Sequence, residues 1–355
     1  MVAIWAPLRY TNYGDDMQAI ALGKLIQSIG YDVKLFQLDE SLAKQYDMRS
    51  VSTIDSLCED VNLCIIAGGA LLTPFNPLKR VLNRSAAEYE QDFKDLLKAS
   101  EKFPIKFCAI SMGGDGKVRM PWMYYSQARI KFFKSDAFLN GTVRLAGDVK
   151  QMKQFGKEFV YHPDMLFRSF EYFEYNRLEI TPKYRVGINF KKGKYLDKKL
   201  LSDIYEYAAK HDDIEFHFTT THMQKKGLNY QYIPKNESKN IFIHHYESPN
   251  QLLGVLASMD IFITSMLHLG LTGLTTGTPF ISYRGPGKTK SFLESRGGHL
   301  AIVKDDITLH ELKKSFFAKK REELYSQYDK DAIQEMINSS TLQYEFCKKL
   351  LEKLA

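Results

Sequence analysis

The sequence predicts an α/β protein made of two Rossmann-like domains facing each other across a cleft. Three observations carry this. Short apolar runs alternate with runs of helical period through both halves of the 355 residues, and such alternation implies a mostly parallel sheet. The rhythm breaks once, in the aromatic and charged stretch from Phe167 to Pro182, and then restarts. Several apolar runs end in glycines or polar corners, where parallel strands deliver their C-terminal ends to a ligand crevice.

The elements follow in order. Val2 to Ala6 reads as a first strand rather than a leader, because it lacks a basic start and a cleavage site. The loop Asn12-Tyr-Gly-Asp15 precedes a helix in which Met17, Ile20, Ala21, Leu25 and Ile29 recur at helical spacing. Asp15 or Asp16 is the expected N-cap and Gly30 the stop. Val33–Gln37, Cys64–Gly69, Ile105–Ile110, Thr142–Leu145 and Glu158–Tyr161 are the further strands of the first half. The second half gives strands at Val186–Phe190, Ile214–Thr219, Ile241–His244, Ile261–Ile263, Pro279–Tyr283 and Leu300–Lys304, with helices at Leu200–Ala209 and Leu252–Met259. From Thr308 onward the chain is charged, free of proline and mostly helical. The expected domains are 1–175 and 176–335, with 336–355 a C-terminal helix that returns to the first domain.

Composition narrows the function classes. Apolar residues make up 44%, enough for a packed core, and the net charge of +7 comes from 49 basic and 42 acidic residues. That excess suits an anionic small molecule and a peripheral encounter with a membrane surface, while no basic arm argues for nucleic acid. Cys58, Cys64, Cys108 and Cys347 show no CxxC spacing, so buried thiols in a reducing compartment are expected. No apolar run reaches the ~18 residues of a membrane span. The expected location is the cytoplasm, including the inner face of its membrane. The histidines lack a metal-site pattern such as HExxH, and no metal or cofactor is assigned.

The richest segment is Thr264-Ser-Met-Leu-His-Leu-Gly270, followed by Gly277-Thr-Pro-Phe-Ile-Ser-Tyr283. His268 lies just past a strand, where a helix should begin. A lone histidine on an apolar segment is often a satisfied core residue. At a strand-to-helix corner beside Ser265, an imidazole that titrates near neutrality is a candidate acid or base. Arg284-Gly-Pro-Gly-Lys-Thr-Lys290 reads either as a solvated loop or as a shaped one bringing Lys288 and Lys290 to an anion; it is not a Walker motif. Lys191 ends a strand and is otherwise a solvated turn. Asn12, Gly14 and Asp15 border a helix N-terminus, which favours an anionic or polar ligand. Gly68-Gly69 and Gly113-Gly114 suggest backbone lining a cleft, although glycine pairs are also ordinary turn residues. Arg144 and Asp164 end short strands.

Taken in order, these residues resemble the polysaccharide pyruvyl transferase family. The resemblance rests on Asn12-Tyr-Gly-Asp15 before Met17-Gln-Ala-Ile-Ala-Leu22, on Ile65-Ile-Ala-Gly-Gly69, on Val143-Arg144 and Asp164, and on Ser265, His268, Gly277-Thr-Pro279, Tyr283, Lys288 and Phe292. It spans most of the chain, to about Gly298. It implies a GT-B-like glycosyltransferase architecture and transfer of pyruvate from phosphoenolpyruvate to a sugar diol of a surface-polysaccharide precursor, forming a ketal and releasing phosphate. His268 would be the catalytic acid or base. Lys288, Arg144, Ser265, Lys191, Lys290 and Arg284 would bind the donor, and Asn12, Gly14, Asp15, Gly68, Gly69 and Asp164 a sugar or lipid-linked oligosaccharide acceptor. A closed cleft would exclude water, which competes as nucleophile. The chain departs from the family at Met266 and Lys191, where arginine is usual, and at Leu145, which interrupts a Val-Arg-Asp pattern. Arginine grips a carboxylate bidentately and lysine less specifically. Either Arg284 or Lys290 substitutes, or the donor differs, which gives the alternative: a glycosyltransferase of the same architecture using a nucleotide sugar.

Overall fold

In the computed structural model, residues 1–75, 77–193, 196–224, 231–285, 289, 293 and 302–354 are described. The chain divides into two compact units. Unit 1 comprises Met1–Thr11, Asp15–Met165 and Ser339–Ala355; unit 2 comprises Asn12–Gly14 and Leu166–Asn338. The sequence reading places its boundary at 175/176, whereas the main change of unit falls between Met165 and Leu166.

Unit 1 is built on seven parallel strands. They are β1 (Val2–Trp5), β2 (Val33–Phe36), β3 (Arg49–Val51), β4 (Leu63–Ala67), β5 (Lys106–Met112), β6 (Phe138–Val143) and β7 (Phe159–Tyr161). Their spatial order is β3-β2-β1-β4-β5-β6-β7. All residues of β1 and β4 are buried, as expected of central strands covered by helices on both faces. Phe93, Phe107, Phe132, Phe133 and Phe138 fill one side in tilted and edge-to-face pairs. Sequence reading missed β3 because it is a three-residue edge strand with only Val51 buried.

Unit 2 repeats the plan with six parallel strands. These are β8 (Tyr184–Asn189), β9 (Ile214–Thr219), β10 (Ile241–His244), β11 (Ile261–Thr264), β12 (Phe280–Tyr283) and β13 (Ile302–Lys304), in the order β10-β9-β8-β11-β12-β13. In each sheet the unit's first strand sits between its second and its fourth. Winding reverses there, and ligands of open α/β sheets bind outside the strand ends at such a reversal. The reversal points are β1/β4 and β8/β11.

The last helix, Lys330–Leu354, is shared: residues to Asn338 fall in unit 2 and residues from Ser339 in unit 1. The four cysteines are buried and unpaired, and burial pushes the Cys58 and Cys347 thiols up to about 12. Among the described residues no helix is long and apolar enough to cross a membrane.

Candidate functional site

At the β1/β4 reversal of unit 1, Gly68 and Gly69 both adopt positive φ, at 53° and 69°. Gln18, buried one turn into the helix Tyr13–Ser28, lies over them. Its Oε1 accepts the Gly69 amide at 3.2 Å, and its Nε2 donates to Asp164 Oδ1 at 2.7 Å. A Cβ built on Gly68 would fall 1.7 Å from Gln18 Oε1, so both the left-handed backbone and the close approach require glycine. The other Asp164 oxygen pairs with Arg144 Nη1 at 2.8 Å, and both side chains are nearly buried. Gly113 makes room for Arg144, whose Nε would lie 2.1 Å from an added Cβ. Asp148 accepts the amides of Gly114 at 2.7 Å and Gly116 at 3.1 Å. Burial nevertheless raises its carboxyl to about 6.

One further side chain holds this edge together. Gln343, fully buried on the last helix, accepts from the Ser111 amide at 3.2 Å and from the Thr142 hydroxyl. Its Nε2 donates to the carbonyls of His162 and Pro163, each at 3.0 Å. Ser111 has φ of 56°, and the β5–β6 register shifts between Ala109 and Met112. The Ser111 amide, which the irregular strand turns out of its ladder, is thus shared by Thr142 Oγ1 at 2.9 Å and Gln343, and Gln343 ties down the chain leading into Asp164.

At the β8/β11 reversal of unit 2, Asn189 ends β8 and is fully buried; its Nδ2 donates to the Thr219 carbonyl at 2.8 Å. Thr264 ends β11 and accepts the Met266 amide at 2.9 Å. Ser265 is fully buried, pairs through its amide with the Asn189 carbonyl at 3.0 Å, and faces the Lys191 amide at 3.5 Å. The helix Leu267–Thr275 then starts, and its N-cap, Met266, makes no side-chain capping bond. The first-turn amides of such a helix attract an anion. His268 is half-buried in that first turn.

The segment Asn12–Gly14 belongs to this second unit. Tyr13 donates its amide to the Thr221 carbonyl at 2.8 Å and its hydroxyl to Thr272 Oγ1 at 3.0 Å. Gly14 lies against the His268 ring so closely that an added Cβ would meet Nδ1 at 2.0 Å. The expected N-cap is corrected here. The helix starts at Tyr13, so Asp15 falls within its first turn. Asn12 immediately precedes the helix and accepts the Gly14 amide at 3.0 Å, the geometry of a cap two residues upstream.

The structure thus groups Gly68, Gly69, Arg144 and Asp164 in unit 1, and Asn12, Gly14, Lys191, Ser265 and His268 in unit 2. Arg284 stands apart. Its Nη2 pairs with Asp197 at 3.0 Å and Asp306 at 2.9 Å, and its Nε donates to the Asp305 carbonyl, so its guanidinium is directed at protein acceptors. Lys288, Lys290 and Phe292 lie outside the described residues. Sequence reasoning missed Gln18, Asp148, Asn189 and Gln343. Gln18 had a signal, a polar residue on the apolar stripe of the first helix; Gln343 had none short of its tertiary partners. A basic cavity of about 840 Å³ in unit 2 lies at the opposite strand ends, beside Tyr184, Ile214 and Asp260. Its Lys183, Arg185 and Arg321 are already engaged by Asp212, Glu215 and main-chain carbonyls. Among the described residues no group of acidic, histidine or cysteine side chains is arranged to hold a metal.

Comparison with known proteins agrees with this geometry. The solved structures similar to the chain include a UDP-N-acetylglucosamine 2-epimerase from Listeria monocytogenes (8% identity, TM-score 0.54, covering 95% of this chain and 90% of that one). The glycosyltransferase SnogD from Streptomyces nogalater is similar at 11% identity and TM-score 0.52, over 100% and 99% of the two chains. S. aureus MnaA, solved with UDP, is similar at 8% identity and TM-score 0.56, over 95% and 94%. At these identities the likeness is one of fold, the GT-B-like frame. No curated protein matches the chain in sequence. The family model for polysaccharide pyruvyl transferase matches residues 158–284, the segment that holds Asp164, Lys191, Ser265 and His268. The resemblance to polysaccharide pyruvyl transferases read from the sequence is thereby found again over that segment, and together with the fold it indicates a transferase.

Proposed function

We propose that the protein moves pyruvate from phosphoenolpyruvate onto two hydroxyls of a sugar in a surface-polysaccharide precursor, forming a ketal and releasing phosphate. The observation that carries this reading is His268. It lies inside the matched segment, at the reversal point of unit 2, on the first turn of a helix without a side-chain cap. An anion seated on those amides would put its reacting carbon near an imidazole.

In the proposed reaction the methylene carbon of the enol takes a proton and becomes the methyl group. The adjacent carbon becomes oxocarbenium-like and is attacked by one sugar hydroxyl. The carbon–oxygen bond to phosphate breaks, and the second hydroxyl closes the ketal. Of the two hydroxyl protons, one balances the proton taken by carbon and the other leaves with phosphate. His268 is assigned as the acid and base that passes the first proton. The helix amides, Ser265 and Lys191 are assigned to the donor's anionic groups, with Lys288 and Lys290 adding charge. In unit 1, Asp164, Arg144 and Gln18 form a hydrogen-bonded polar set suited to sugar hydroxyls, and they are assigned to the acceptor. The buried, unpaired thiols support a reducing compartment, which suits a cytoplasmic reaction.

The test is calorimetric titration with phosphoenolpyruvate and, separately, with uridine, guanosine and cytidine diphosphates. Binding of phosphoenolpyruvate, weakened in Lys288→Ala, supports the proposal. Met266 at the N-cap, where the family usually has arginine, favours a second reading, a nucleotide-sugar glycosyltransferase. Binding of one nucleotide in place of phosphoenolpyruvate would install that reading instead.

A further inference from the structure

Eleven large hydrophobic side chains are exposed among the described residues, and seven of them fall in two short segments of unit 1. The helix Pro77–Leu82 presents Leu78, Val81 and Leu82, the last two 80% and 73% exposed. The segment leading through the helix Pro121–Tyr124 presents Val118, Met120, Trp122 and Met123, with Trp122 68% exposed. Scattered exposed apolar residues are normal, but this degree of clustering marks an interaction surface.

The two segments are held together. Phe75 donates its amide to the Tyr124 carbonyl at 3.1 Å, and the Tyr125 hydroxyl donates to the Leu72 carbonyl at 2.9 Å. Buried Arg129 donates to the Leu71 carbonyl at 3.0 Å and pairs with Glu90 at 2.6 Å. The exposed side chains are therefore mounted on a fixed base. They also continue from the C-terminal ends of β4 and β5, so they lie at the strand edge that carries Gly68, Gly69 and Arg144.

The charge around them has one sign. Residues 61–87 contain no acid and three cations, Lys79, Arg80 and Arg84; residues 116–135 contain no acid and, besides the buried Arg129, four cations, Lys117, Arg119, Lys131 and Lys134. The acids flanking these stretches in sequence, Asp115 and Glu88, pair with Arg119 and Arg84, and Glu90 pairs with buried Arg129. Protruding apolar side chains within a net-basic surround match a sheet of anionic headgroups over an acyl layer.

We propose that this face of unit 1 docks on an anionic phospholipid bilayer, with Trp122, Leu82 and their neighbours entering the headgroup–acyl boundary. Docking does not depend on which donor the enzyme uses. Its consequence for the acceptor does rest on the proposed function: the sugar-recognising edge of unit 1 would be held beside the membrane, which suits a lipid-linked acceptor.

The chain has two tryptophans, and Trp5 is fully buried, so a change in emission on adding vesicles reports Trp122. With full-length protein and vesicles of phosphatidylcholine plus phosphatidylglycerol, the expected result is a blue shift, quenching by bromine-labelled acyl chains and co-sedimentation. Pairing Trp122→Ser with Leu82→Ser should lower the partition coefficient about tenfold or more. Arg80→Glu and Lys117→Glu should each lower it about fivefold or more. Leu82, Lys117 and Trp122 are exposed and Arg80 is only half-buried, so all variants should keep the wild-type melting temperature. Absence of shift and sedimentation would overturn the proposal. So would equal binding to phosphatidylcholine alone, or a dimer in sedimentation velocity that the serine variants convert to monomer.

Discussion

At the reversal point of unit 1, Asp164 lies between Gln18 and Arg144 with both oxygens engaged. At the reversal point of unit 2, the polar groups are arranged around a helix end whose N-cap residue, Met266, makes no side-chain capping bond, with His268 on its first turn. The same strand order has thus been given a closed polar set in one unit and an open electropositive end in the other. A closed set fixes shape and recognises neutral hydroxyls. An open helix end still has charge to offer an anion. The buried ionisable groups differ as well. Burial lifts Asp92 and Asp148 of unit 1 to about 6, whereas it depresses His217 to about 3 and His222 and His244 to about 4 in unit 2.

The largest effect should come from the open side. His268→Ala is expected to cut acceptor-dependent phosphate release by about 10²–10⁴-fold, the range for loss of a general acid–base group, with an unchanged circular dichroism spectrum. An active variant would leave unit 2 without its proposed chemistry. On the closed side, Asp164→Ala strands a buried guanidinium, and truncating one partner of a buried pair costs about 3–5 kcal/mol. Urea unfolding should show that loss in unit 1; a variant as stable as wild type would mean that Arg144 finds another acceptor.

Gly14→Ala probes the open side more finely. The methyl group would displace the imidazole, and misplacement by about 1 Å can cost about 10²-fold in rate. Activity should fall with little change in melting temperature, because the flexible end of a side chain is what must move. Wild-type turnover would show that the ring has slack.

Acidification should separate the two units by sign. A histidine depressed from 6.5 favours its neutral form in the fold, so its contribution is intact above about pH 6.5 and is lost as pH falls toward 4. Each such group contributes up to about 1.4 kcal/mol per pH unit in that window. Asp92 and Asp148, raised from 3.8, favour the protonated form in the fold, so they oppose stability as pH rises from about 4 to 6. Hydrogen exchange at pH 7 and pH 5 should therefore show unit 2 loosening relative to unit 1. Equal loosening would remove the contrast.

Most of this architecture was legible because buried parallel strands are short apolar runs with polar ends. Cys64–Ala67 and Ile261–Ile263 could hardly be anything else, and His268 was visible because it directly follows such a run. What stayed hidden was tertiary pairing. Gln343 lies 232 positions from Ser111, and no local pattern relates them. The glycines at the strand ends read as backbone for a ligand to approach. Gly68 and Gly113 also admit Gln18 and Arg144, as Gly14 before the first helix admits His268, which is a statement about side-chain volume that a sequence does not print. The N-cap moved because Asn12 and Asp15 are both good caps, and the contacts of Tyr13 decided between them.

The shared last helix sets an order of assembly. As the chain is synthesised from its N-terminus, unit 2 has all its residues once Asn338 has emerged. Unit 1 begins earlier yet must wait for Gln343 before the Thr142 hydroxyl and the carbonyls of His162 and Pro163 have that partner. The first unit to be started is the last to be finished. A nascent chain stalled before residue 339 would hold a complete second unit beside a first whose acceptor edge is still open to proteases, and release of the final turns would close it.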